Sequence, residues 1–486
     1  MGVKHVGSMA VVLLLFVTAC GVPNFGDSAS SGGPQPEVPG LGDGGTGPGV
    51  GEAQAALRAL ANDRDQSEEG DGGEGADVAP VLSAVQITGV VVTKDDMPLP
   101  GAVVVANDPV GEPVQVATGD DGSFTLTGVA EGAALTVRRP VWQLATAEYF
   151  ADGPPPIGGA AGEEVTELVA SAGAHFSVVF EPVVARVLRM SREVAADPAQ
   201  REELYGEIER STVNALVFDT KDETDTVLYN TEVSYAHEIG AVEVVYDPVE
   251  LLAEARDRGL YTITRIVTFE DSTWADQPEA KLAGEWVNAA NEANWQYPID
   301  LAIEACEIGF DEIQFDYVRF PAGKTAAAAQ GLIPDTSNER AATIKRFLAA
   351  ARDELHPRGC GISAAIFGIT MNSPTDEGIG QTPETVSEVV DAVSPMLYPS
   401  HYGPGWLGFD DPNAHPGPVI ASALDVGGPR LAPQTLLRPW IQGFYYNAEQ
   451  VKAQINEAEA RGAGWLIWNA SGRYAESWLP PRTDAE

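Results

Sequence analysis

From about residue 182 to the C-terminus, short apolar runs alternate with amphipathic stretches, and few architectures accommodate that rhythm. Runs at 184–188, 214–219, 261–268, 312–317, 362–367, 392–398, 435–441 and 465–468 read as strands. Helical periodicity falls between them, at 198–209, 248–258, 299–308, 339–355, 383–390, around 418–424 and at 448–461. Parallel strands need crossover connections of this length. Eight of them predict an α/β (β/α)8 TIM-type barrel over residues 182–480, although a doubly wound sheet shows the same alternation. The first and seventh strands carry the weakest patterns.

The fourth run lies in Gly309-Phe-Asp-Glu-Ile-Gln-Phe-Asp-Tyr-Val-Arg-Phe-Pro321. A glycine closes the preceding amphipathic segment, and a short strand comes next. Strand alternation places Glu312, Gln314 and Asp316 on one face and Ile313, Phe315 and Tyr317 on the other. In a barrel this predicts a polar interior.

Barrel enzymes carry their chemistry at the C-terminal ends of strands. The second run ends in Asp219, Lys221, Asp222 and Glu223, and the third in Arg265, Glu270 and Asp271. The fourth supplies Asp316 and Arg319; the sixth Tyr398, His401 and Tyr402; the seventh Arg438, Trp440 and Gln442; the eighth Trp468 and Asn469. Carboxylates beside amides, cations and aromatic rings suit a sugar site. Rings stack on pyranose faces, polar groups bond hydroxyls, and carboxyls act as acid, base or nucleophile. Each assignment has a structural alternative: Asp316 as a buried partner of Arg319 or Arg265, Asp219 with Lys221 as an ion pair, Trp440 and Trp468 as packing, and His401 as an ordinary hydrogen-bonding group. The sequence lacks a phosphate-binding G-x-x-x-x-G-K-[ST], an H-E-x-x-H and a G-x-S-x-G, and its six histidines are scattered, so no metal or cofactor is expected.

The N-terminal part reads differently. Lys4 and His5 precede an apolar run, 9–17, too short to span a bilayer, followed by Val17-Thr-Ala-Cys20. Residues 1–20 resemble a bacterial lipoprotein signal, which implies a lipid anchor at Cys20 and a protein exported to the extracytoplasmic side of the membrane. Residues 21–84 are rich in Gly, Pro, Ser, Asp and Glu, the composition of a tether reaching on the order of 40 Å. Short β-type runs with turn signals then predict a small antiparallel β-sandwich over 85–181, with a last strand near 175–180. GVVVTKDDMPLPGAVVVAND and TGDDGSFTLTGVAEGAALTV resemble the carboxypeptidase-regulatory-like sandwich family, usually an accessory spacer. Asp95, Asp96, Asp120 and Asp121 read as turn formers rather than calcium ligands. With 71 acidic and 29 basic residues, a formal charge of -42 repels phosphate backbones, so nucleic acid is not an expected partner. Cys306 and Cys360 both fall at the bottom of the predicted barrel and read as two separate buried thiols, with pairing as the alternative.

NALVFDTKDE, GLYTITRIVTFED, GFDEIQFDYVRFP, SPMLYPSHY, LRPWIQ and GWLIWNAS, in that order, resemble the bacterial putative glycoside hydrolase domain family of (β/α)8 barrels, over about residues 182–474. The resemblance implies a glycosidase-type barrel acting on an extracellular or cell-envelope polysaccharide. It also implies that Asp316 matches a fourth-strand aspartate serving as nucleophile or charge stabiliser. The chain departs from the family pattern after the fifth strand, where Ser-Ala-Asp-aliphatic-Phe-Gly becomes Ser363-Ala364-Ala365-Ile366-Phe367-Gly368. Glu270 stands where a lysine is common, and Asn288 where an aspartate is. Either another acid serves as proton donor, with Asp222 and Asp271 first and Asp376 and Glu377 next, or the barrel binds glycans without cleaving them.

Overall fold

The computed structural model describes residues 84–107, 113–150, 163–165 and 167–482. The signal-like segment with Cys20, the predicted tether and the Gly/Pro-rich loop near 153–162 lie outside these residues.

Residues 84–182 form two facing sheets. One contains β1 (Ala84–Thr93), β4 (Ser123–Ala130), β6 (Trp142–Phe150), β7 (Glu163–Glu164) and β9 (His175–Pro182). The other contains β2 (Val103–Asn107), β3 (Val114–Ala117), β5 (Ala134–Arg138) and β8 (Leu168–Val169). Ile87, Val91, Phe124 and Phe176 from the first pack with Val104 and Leu135 from the second. Pairings are antiparallel except β1 with β9, which run parallel. The two are distant in the chain, so no tight turn dictates their direction. Asp121 accepts hydrogen bonds from the backbone and hydroxyl of Ser123, which makes it a turn former.

The second half is a closed eight-stranded parallel barrel. Its strands are Arg186–Arg189, Ala215–Lys221, Tyr261–Val267, Glu312–Asp316, Gly361–Phe367, Ala392–Leu397, the split pair Leu436–Leu437 and Trp440–Gln442, and Trp465–Trp468. The first pairs with both the second and the eighth, and the fifth with the sixth, which closes the ring. Strand seven breaks at Arg438–Pro439 because proline has no N–H to give the ladder. Helices between strands are capped as their sequences dictate. Asp197 caps Pro198–Glu209, with proline in its first turn, and Thr336 with Glu339 forms a capping box on Ser337–Leu355. The helix Gln296–Ile308 ends at Gly309, whose φ of +119° is a conformation that L side chains rarely adopt.

The fourth strand organises the interior in layers. Glu312 accepts from Tyr261, Ser363 and Arg438 near the floor. Above it, Gln314 bonds Ser363, Ser394 and Trp440. Asp316 faces Arg265 at the top. Ile313 and Phe315 point outward into the layer beneath the helices. The polar interior predicted from alternation is therefore present.

Two further features close the floor. Cys306 and Cys360 form a disulfide, with Cα atoms 6.0 Å apart, so the reading of two separate thiols is corrected. The helix carrying Cys306 and the entry to strand five converge there, which sequence spacing alone does not reveal. The turn joining β5 to β6 also inserts below the barrel. Val141 is buried and packs closely over Gly361, and Arg139 donates to Asp391 at 2.7 Å. Asp391 also takes His356 at 2.8 Å and the backbone N–H of Ile362, and these partners outweigh its burial to hold its carboxyl well below the usual range.

Candidate active site

At the C-terminal mouth, three carboxylates converge on one guanidinium. Arg265 donates to Asp316 Oδ2 at 2.9 Å, to Asp219 Oδ1 at 3.0 Å and to Glu223 Oε1 at 2.5 Å. Arg189, from the end of strand one, holds Asp219 Oδ2 through both Nε and Nη2. Both guanidiniums lie over the ring of Trp468, at 4.5 and 5.0 Å from its centre. Burial pushes Asp219 above its ordinary pKa, against the attraction of Arg189 and Arg265. Desolvation also works against ionised Glu223, but Arg265 and Arg189 win there and hold it at about 2. Glu223 is therefore a charged member of the cluster and has no proton to give near neutrality.

Asp316 is 4% exposed. Its Oδ1 accepts the N–H of Tyr317 at 2.7 Å, and Tyr317 adopts a left-handed φ of 51°. Such a conformation in a bulky aromatic residue is strained and persists where the surroundings enforce it, a pattern concentrated at functional sites. The strand thus ends at Asp316, one residue before the end predicted from the pattern.

A register shift between Asp219 and Lys221 redirects the chain at the end of strand two. Lys221 pairs with Ile266, whose side chain faces the helices, so it turns out of the barrel interior. Its ammonium lies 2.8 Å from Asp271 and donates to the Val267 carbonyl. Asp271 caps the short helix Ser272–Ala275 and is fully buried. Asp222 turns back to Thr224 and lies 3.7 Å from Arg192. Both first choices for proton donor are thus held by structural partners, Asp222 by its own turn and Asp271 by Lys221 and a helix cap. Asp376 is clamped by Arg340 and two glycine N–H groups, and Glu377 accepts from Ser373. Asn288 caps a turn through Ala290.

Other predicted sugar contacts are also spoken for. Trp440 is 1% exposed, with its Nε1 on Gln314, and belongs to the interior packing. Gln442 is fully buried; it accepts from Ser400 and donates to the Phe444 carbonyl, fixing the loop after strand six. Asn469 donates to the Arg473 carbonyl within its own turn. Arg319 lies against the rings of Trp286 and Phe367 and donates to Glu270 at 3.4 Å. Tyr398 packs edge-on against His401 and Phe444, while His401 itself is exposed. Tyr402 lies over Gly368, whose missing side chain makes room for its hydroxyl.

Arg189 escaped the sequence reading because strand one was weakly patterned, although its alternation with Val187 marks it as inward-facing. Residues 188–474, more than half of the chain, match a family model described as a putative glycosyl hydrolase domain. The chain belongs to this family. Within the glycosyl hydrolase domain, the matched segment runs from strand one to the turn after strand eight and includes the whole Arg265 cluster. Among solved structures, a hypothetical protein from Ruminiclostridium thermocellum is 29% identical, covering 37% of this chain and 96% of its own, with a TM-score of 0.31. The PgaB (BpsB) glycoside hydrolase domain from Bordetella bronchiseptica is 11% identical over 62% of this chain and 100% of its own, with a TM-score of 0.46. A chitinase from Chromobacterium violaceum is 10% identical over 61% and 96%, at 0.39. No match was found among curated proteins.

Proposed function

We propose that this chain hydrolyses glycosidic bonds in an extracellular or cell-envelope polysaccharide, with Asp316 as nucleophile or charge stabiliser. One observation carries the reading: Asp316 ends the fourth strand at the catalytic end of the barrel, ion-paired to Arg265 and followed by a strained Tyr317. A carboxylate positioned by a fixed cation can stabilise the positive charge that develops at the anomeric carbon. Trp468 and the loop of Phe444 and Tyr445 would supply sugar-stacking surfaces. Tyr445 favours this role: the residue is 89% exposed, and its backbone holds a φ of 61°.

Export and anchoring at Cys20 belong to the same proposal. The Cys306–Cys360 disulfide supports it, because such bonds persist in oxidising compartments. The test is a panel of envelope and extracellular glycans offered to the wild type and to Asp316→Asn, with reducing ends measured. Hydrolysis by the wild type and its loss, by on the order of 1,000-fold, in the variant is the expected result. Equal activity in both would remove Asp316 from the mechanism.

A second reading, a glycan-binding lipoprotein without turnover, is favoured by Ala365. The register Phe315 with Ala364 puts the next pair, Asp316 and Ala365, side by side, so a methyl group stands where the family pattern has a carboxyl. Under this reading, glycans bind to wild type and Asp316→Ala alike and emerge uncut.

A further inference from the structure

Hydrolysis needs a carboxyl group that still carries a proton when the glycosidic bond breaks. Around the mouth, most acids are committed elsewhere. Asp219 and Glu223 are bound to two arginines, Asp222 to its own turn, Asp271 to a helix cap and Lys221, and Asp376 to Arg340. Glu270 is different. It sits just past strand three, directly beside the catalytic strand: Thr268 donates to the Asp316 carbonyl at 2.9 Å and Phe269 to the Tyr317 carbonyl at 3.3 Å. Glu270 is therefore the next residue up the wall from Asp316. Its side chain is 27% exposed, and its nearest cation, Arg319, lies 3.4 Å away and is held between aromatic rings.

We propose that Glu270 is the proton donor of this barrel, taking on strand three the role for which strand five has only Ala365. The inference rests on the hydrolase reading above. Strands three and five flank strand four on opposite sides, so a carboxyl absent on one side of Asp316 is present on the other. In the reaction, the C1–O bond breaks with its electron pair going to the glycosidic oxygen, which takes the Glu270 proton and leaves as an alcohol. Asp316 bonds to or stabilises the anomeric centre, and water supplies the hydroxyl of the new reducing end. The proton that water loses restores Glu270. The groups facing Glu270 fit this assignment: burial raises its pKa, Arg319 opposes, and Glu285, Asp316 and Asp225 add to the rise. A carboxyl so placed keeps its proton to higher pH than a free glutamate.

The experiment uses the full chain and two aryl glycosides of the sugar that the wild type cleaves: a 4-methoxyphenyl glycoside, whose leaving group needs a proton, and a 2,4-dinitrophenyl glycoside, whose leaving group does not. Glu270→Gln is expected to lose 100-fold or more in kcat/KM on the first, to stay within about 10-fold of wild type on the second, and to lose the alkaline limb of the pH profile. Glu270→Asp should restore part of the activity on the methoxyphenyl substrate. Thermal melting of each variant separates unfolding from lost chemistry. Equal losses on both substrates in a folded protein, or no loss on either, would overturn the assignment while leaving Asp316 in place. Failure of the wild type on every glycan would instead sink the hydrolase reading and this inference with it.

Discussion

Arg265 carries more electrostatic duty than any other side chain at the mouth, because Asp316, Asp219 and Glu223 all depend on it while it is 1% exposed. Removing one partner from a buried ion cluster leaves charge uncompensated, so Arg265→Met is expected to destabilise the protein by about 3–5 kcal/mol in urea titrations. The acids at the mouth and in the neighbouring loop also predict how stability responds to pH. Glu223 and the buried, Arg340-clamped Asp376 both sit near 2 in the folded protein, below their ordinary values. Depressed carboxyls contribute stability that is whole above about pH 4.5 and lost as pH falls through the folded value, so the melting temperature should drop steadily from about pH 4.5 towards 2. Several of these residues were legible in the sequence. Asp219, Arg265 and Asp316 occupy inward positions that alternation predicts. Lys221 was not, because a single register shift after Asp219 reverses its direction, and no residue type announces a bulge. Glu223 and Glu270 lie past the ends of their strands, where periodicity no longer assigns a face.

Most elements were visible because their patterns are strong and their ends are chemically marked. The helix starting at Pro198 has an aspartate cap before a proline, and strand eight was predicted with its observed bounds, Trp465–Trp468. Strand seven read as continuous because Arg438–Pro439 interrupts it only in hydrogen bonding, not in hydropathy. Pairing between elements is harder to foresee, as Cys306 and Cys360 illustrate. They are 54 residues apart, and only the packing of a helix against the entry to strand five brings them together. Replacing both with serine is expected to cost about 2–4 kcal/mol, measured as a shift in denaturation midpoint. The loop after strand seven offers a functional counterpart. Tyr445→Ala should raise KM for a polymeric glycan by roughly 2- to 10-fold, the worth of one lost ring contact, with little change on a short aryl glycoside.

At the scale of the whole molecule, the floor is where the two halves meet. Val141 and Arg139, which belong to the turn of the N-terminal sheets, complete the underside of the barrel, and Gln434 donates to the Pro98 carbonyl at 2.5 Å. A chain beginning at residue 183 would keep every strand of the barrel and lose the Arg139 side of Asp391 as well as the apolar plug. Calorimetry should show it melting below a chain beginning at residue 84, with a deficit of about 3 kcal/mol or more. Arg139→Ala in the longer chain should reproduce part of that deficit. The family match begins at residue 188, yet the compact unit that contains the barrel begins about a hundred residues earlier. Anyone transplanting this barrel into another protein, or pairing it with a different accessory module, therefore inherits a missing base plate.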